Sequence, residues 1–126
     1  MSDDTVWIKK DNVIQSKSFG FAVRIVKLCA YLKSDKLEYV IAKQLLRSGT
    51  SIGANVRESA RAESRADFAH KMSIAQKEAD ETQYWLELLR ATDYLTETEF
   101  TSINNDVEEI IKILSRIIIS TKQNSK

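Results

Sequence analysis

The chain has 126 residues, of which 43% are hydrophobic and 29% charged, with 19 Lys/Arg against 18 Asp/Glu and a net charge of +1; this balance excludes disordered and collagen-like classes. The length suits one domain over residues 1–126, and no apolar run approaches the roughly 20 residues that span a bilayer, so a cytoplasmic protein with no membrane partner is expected. A lone Cys29 cannot form an internal disulfide, and with a single His70 beside it the usual zinc ligand sets are excluded.

There is no proline and there are only three glycines, so nothing interrupts long helices and an all-α chain is predicted. Three pairs carry the signature of a helix start, a capping residue followed three positions later by an acid: Asp35 with Glu38, Ser64 with Asp67, and Thr96 with Glu99. They divide the chain into Ser18 to Lys33, Lys36 to Ala62, Arg65 to Tyr94 and Glu97 to Thr121, with residues 1–15 as an arm.

Each segment carries an apolar stripe at alternating steps of three and four. The first runs Ala22, Ile25, Cys29, Leu32, which makes Cys29 a core residue and an inert thiol. The second runs Leu37, Ile41, Leu45, Ser48, Ile52, Val56, and it contains Gly49 and Gly53, four apart, whose helix cost is offset if a neighbouring helix approaches closely. The stretch SGTSIGAN lacks the preceding strand and the Lys-Ser/Thr ending of a phosphate-binding loop. The third stripe is Phe68, Met72, Ala75, Ala79, Thr82, Leu86, Leu89, and the fourth is Phe100, Ile103, Val107, Ile110, Leu114, Ile117. Short connections make sequential helices antiparallel, so the expected architecture is an up-down-up-down four-helix bundle. Symmetry about the Glu63/Ser64 turn pairs Ser48 with Ala79 and Ile41 with Leu86. It also brings Arg47 level with Asp80, within reach of Glu78 and Glu81 as a structural ion pair.

The charge is polarised. Residues 1–77 hold 14 Lys/Arg and 8 Asp/Glu, whereas the remainder hold 5 and 10. In an up-down bundle, Lys9, Lys10, Lys17, Arg57, Arg61, Arg65, Arg116, Lys122 and Lys126 gather at one pole, and Glu87, Asp93, Glu97 and Glu99 at the other. Arg57, Arg61, Arg65, Arg116 and Lys122 are the candidate contacts to RNA or DNA phosphate, since cations gathered at one end of a bundle suit a polyanion; a solvated, partly paired charged surface is the plainer reading of the same residues. The third segment also carries a second apolar strip, Tyr84, Trp85 and Leu88, which one small bundle leaves uncovered and which therefore marks a self-association interface. Catalytic chemistry finds no support: the two-metal bundle pattern needs two Glu-x-x-His pairs, and Glu78, Glu81, Glu108 and Glu109 have only His70, itself preceded by Asp67, to work with. No cofactor is expected, and no enzyme activity.

The stretches KQLLRSGTSIGANVRES (Lys43 to Ser59) and SRADFAHKMSIAQKEADETQYWLELL (Ser64 to Leu89) resemble the bacterial four-helix-bundle proteins named after the 23S ribosomal RNA intervening sequences. The resemblance implies a ring-like homo-oligomer, a pentamer of antiparallel bundles, without catalytic activity and with an RNA, DNA or ribonucleoprotein partner. A related branch, the accessory protein of diversity-generating retroelements, binds a reverse transcriptase and nucleic acid. Two functions follow as expectations: a non-catalytic scaffold for a protein or ribonucleoprotein, or a nucleic-acid binder using the basic pole.

Overall fold

The computed structural model of the protein describes residues 11–123 as four helices, with no strand among them: α1 (Asp11–Ser34), α2 (Val40–Ser59), α3 (Arg65–Ala91) and α4 (Glu97–Gln123). Lys9, Lys10, Lys126 and the first ten residues of the expected arm lie outside the described residues. The rest of that arm is helical. α1 begins at Asp11, ahead of the expected Ser18, because Ile14, Ser18 and Phe21 extend the buried stripe of Ile25, Cys29 and Leu32 towards the amino terminus. Ala22 is only half-buried and gives its place to Phe21.

The first connection departs most from the sequence reading. Leu37 adopts a positive φ of 55°, which ends the helical run and leaves its side chain exposed, so α2 starts at Val40 and not at Lys36. Asp35 does not cap it. The nearly buried carboxylate of Glu38 accepts instead from the backbone N–H groups of Ile41 (3.2 Å) and Ala42 (2.8 Å), satisfying orphan donors at the positive end of the helix. The buried stripe of α2 consequently enters through Ala42 and continues through Leu45, Gly49, Ile52 and Val56, while Ile41 is partly buried beside it. α2 also stops at Ser59, short of Ala62.

The other two starts follow their signatures. Ser64 accepts from Asp67 N at 3.0 Å, and Asp67 reaches back to Glu63 N. Thr96 and Glu99 bond reciprocally, at 3.1 and 2.8 Å, as a complete capping box. α3 closes with Asp93 at a φ of 68°, the Tyr94 N–H bonding to Leu89 O and the Asp93 N–H to Arg90 O, a left-handed cap of the Schellman type with aspartate where glycine is usual. The α3 stripe is buried from Phe68 to Leu89 throughout, and that of α4 from Ile103 to Ile117, with Phe100 only partly covered.

Each helix packs on its sequence neighbours, and α1 also meets α4, more sparsely, to complete the bundle. Partners run in opposite order along adjacent helices. Between α2 and α3, Ser48 meets Thr82 and Glu58 meets Lys71; between α3 and α4, Gln76 meets Ser115 and Gln83 meets Asn104. The α2–α3 register is displaced from the symmetric expectation, with Ser48 facing Thr82 rather than Ala79, because α2 ends early and the Ala60–Ser64 turn is longer on the α2 side. The glycines belong to the α1 seam: a Cβ on Gly49 would sit 2.8 Å from two carbons of Ile25, and one on Gly53 would sit 3.3 Å from the carbonyl oxygen of Ser18.

Candidate functional site

Arg47 stands half-exposed on α2 and spans two acids one turn apart on α3, with Nη1 3.2 Å from Glu78 Oε1 and Nη2 against Glu81 Oε2. Glu81 accepts a second hydrogen bond from Trp85 Nε1 at 2.9 Å. The Arg47 hydrogen bond, reinforced by that of Trp85, holds the Glu81 carboxyl below its ordinary range, and the same contact raises Arg47 further. This cluster pins α2 to α3 and orients Trp85. Below it, in the core, the hydroxyl oxygens of Ser48 and Thr82 lie 3.0 Å apart, each also within reach of a carbonyl of its own helix.

Trp85 is therefore partly buried and packs against the core, while Tyr84, edge-on to it at 5.0 Å between ring centroids, is the exposed aromatic of the strip; Leu88 is half-buried. Around Tyr84 the outer ridge of α3 carries exposed Asp80 and Glu87, with exposed Lys77 a turn earlier.

The candidate phosphate-contacting residues divide among four places. Arg57 is on α2, its guanidinium 5.9 Å from the centre of the exposed Phe19 ring, beside an α1–α2 groove of about 450 Å³ floored by Ala22, Gly53 and Ala54. Arg61 is exposed in the turn, and Arg65 opens α3. The helix end at Ser59 thus places the three arginines on three different segments, α2, the turn and α3. Arg65 lines a cleft of about 340 Å³ with Lys122 from the end of α4, together with His70, Ser73 and Thr121. Arg116, one and a half turns before Lys122, is exposed on α4 outside that cleft. Lys17 is committed to Glu109 at 3.2 Å, and Lys71 to Glu58 at 3.1 Å.

Cys29 donates to Ala42 O, and burial raises its thiol to about 11, well away from the thiolate that nucleophilic chemistry needs. Among the described residues no three His, Cys, Asp or Glu side chains converge on a point that could hold a metal, and no helix is long and apolar enough to cross a membrane.

His70 is exposed and lines the Arg65–Lys122 cleft, because the start of α3 and the end of α4 lie side by side. On α1, Phe19, Val23, Val26 and Ala30 form an exposed apolar stripe opposite the core stripe. Its steps of four, three and four were legible by the same rule that singled out Tyr84, Trp85 and Leu88.

Residues 10–116 match the family model described as 23S rRNA-intervening sequence protein. No curated protein matches the chain. Among solved structures, a protein of unknown function from the S23 ribosomal protein family of Bacteroides thetaiotaomicron, determined at 1.70 Å, is 58% identical. The match covers 87% of this chain and 98% of that one, with a TM-score of 0.86.

Proposed function

This chain belongs to the 23S rRNA-intervening sequence protein family, and from that premise we propose that it is a non-catalytic scaffold, an antiparallel up-down-up-down bundle that assembles with copies of itself and binds a protein or ribonucleoprotein partner in the cytoplasm. The opposed order of partners along adjacent helices supports the antiparallel reading. The observation that carries the scaffold reading is the outer surface. Several polar side chains join helices, as in Arg47 to Glu78 and Glu81 or Gln83 to Asn104, whereas the large apolar and aromatic side chains of Phe19, Val26 and Tyr84 stand at least half exposed, where a partner would cover them. Tyr84, Trp85 and Leu88 belong to the self-association surface; a closed ring of five is the assembly that the family resemblance implies.

The second reading, RNA or DNA binding through the basic pole, is favoured by the cleft that joins Arg65, His70 and Lys122, with Arg61 and Arg116 as exposed cations at the same end and Arg57 in the neighbouring groove. Filter binding of single-stranded RNA and duplex DNA at two salt concentrations separates the readings. A nucleic-acid binder loses affinity with a log–log slope of about −0.9 for each duplex phosphate contacted, and about −0.7 on single strands. The combined change Arg57→Gln, Arg61→Gln and Arg65→Gln then lowers both affinity and slope. Absence of salt-dependent binding leaves the scaffold.

A further inference from the structure

α1 is apolar on two opposite faces. One face, Ile14, Phe21, Ile25, Cys29 and Leu32, is core; the other, Phe19, Val23, Val26 and Ala30, spans three turns in solvent, with exposures of 59% at Phe19, 40% at Val23 and 50% at Val26. Beyond Asp11 this helix contains no acidic residue, but it contains Lys17, Arg24, Lys27 and Lys33. Lys17 and Arg24 are paired with acids of α4, while Lys27 is exposed along the edge of the stripe. Across the molecule the Tyr84 ridge of α3 has the opposite character: a 57% exposed ring between exposed Asp80 and Glu87, with Lys77 a turn beyond Asp80 and Glu81, on the flank, bonded to Arg47.

We infer that the Phe19–Val23–Val26–Ala30 face of α1 docks on the acid-rimmed Tyr84 ridge of α3 in a second copy of this chain. Charge selects this occupant. Two α1 faces brought together would set Lys27 and its neighbours against one another, and two α3 ridges would oppose their acids, whereas α1 against α3 joins apolar to aromatic surface inside a rim of opposite charges. The two surfaces lie on different helices and both are exposed, so each copy offers both at once, and the contact is head-to-tail. Such a contact repeats around a ring when its rotation closes and along a filament when it does not. The inference rests on the self-assembly proposed above and adds which surfaces meet.

The test uses the full chain at about 100 μM, with the double variants Val23→Asp/Val26→Asp (α1 face) and Tyr84→Lys/Glu87→Lys (α3 face), and reads mass by light scattering and helicity by circular dichroism. All four positions are exposed, and if either variant loses helicity, Val23→Ser/Val26→Ser or Glu87→Lys alone takes its place. Each variant alone is expected at the 14.4 kDa of one chain, and their equimolar mixture at twice that mass, because each supplies the surface the other lacks. A variant that keeps the wild-type assembly, or two monomeric variants that do not combine, overturns the α1–α3 contact while leaving self-assembly standing. A wild-type chain that is itself monomeric overturns both.

Discussion

Glu81 accepts from Arg47 and from Trp85 Nε1, and both donors favour its charged form. A carboxyl whose pKa is lower folded than unfolded adds stability that is present above the unfolded value, about 4.3, and is lost as pH falls through the folded one. The wild type is therefore expected to lose more stability than Glu81→Gln between pH 5 and pH 3, the two converging at the acid end. Because the Arg47 and Glu81 side chains are each more than a third exposed, water screens the pair and the gap at pH 7 stays below about 1 kcal/mol. Urea melts across that pH range check this; parallel acid limbs for the two proteins would remove Glu81 as the source. The Arg47 partnership was legible from the sequence because acids at both Glu78 and Glu81 tolerate a register error of part of a turn. The Ser48–Thr82 contact was not, since hydroxyl partners tolerate none.

At the scale of elements, helix starts were read correctly where a short hydroxyl side chain did the capping, at Ser64 and Thr96, and incorrectly where a longer acid did it, at Glu38. A glutamate two residues before the helix reaches the same N–H groups through a geometry that no fixed spacing announces. The glycines were read as marking close helix approach, but which helix approaches could not be known until the packing placed α1 there. Gly49→Ala would drive a methyl carbon to 2.8 Å from Ile25 Cγ1 and Cγ2, atoms at the root of a β-branched side chain that cannot swing away. The gain in helix propensity, about 1 kcal/mol, is outweighed, and a net loss of about 1–2 kcal/mol is expected. Gly53→Ala meets only one oxygen at 3.3 Å and should cost less. Denaturant midpoints for the two variants check the order; equal midpoints would mean that α1 yields freely.

Across the whole molecule, α2 and α3 each have two well-packed neighbours, whereas α1 has one, because its seam with α4 is sparse and held by Lys17–Glu109 and Arg24–Asp106 on the surface. Local opening is cheapest where the fewest apolar contacts break. Native-state hydrogen exchange is accordingly expected to release α1 amides ahead of those in the middle of α2 and α3. Uniform protection across all four helices would show that the bundle opens only as a unit, or that the outer face of α1 is covered in solution.

What the sequence by itself determined was, for the described residues, the all-α class, the number of helices, two of their starts and nearly all of the α3 and α4 core, since helical periodicity and capping are local and survive any arrangement of neighbours. Tertiary structure alone decided the rest. The left-handed Leu37 moved the start of α2 and changed its buried face; the early end at Ser59 separated Arg57, Arg61 and Arg65; and the adjacency of two helix ends brought His70 to Arg65 and Lys122. Those outcomes depend on where one helix stops and on which residues another helix sets opposite, quantities fixed by packing between segments far apart in the chain. For α1 the periodicity was present on both faces, and only the assembled bundle, by covering one of them, distinguished core from exposed surface.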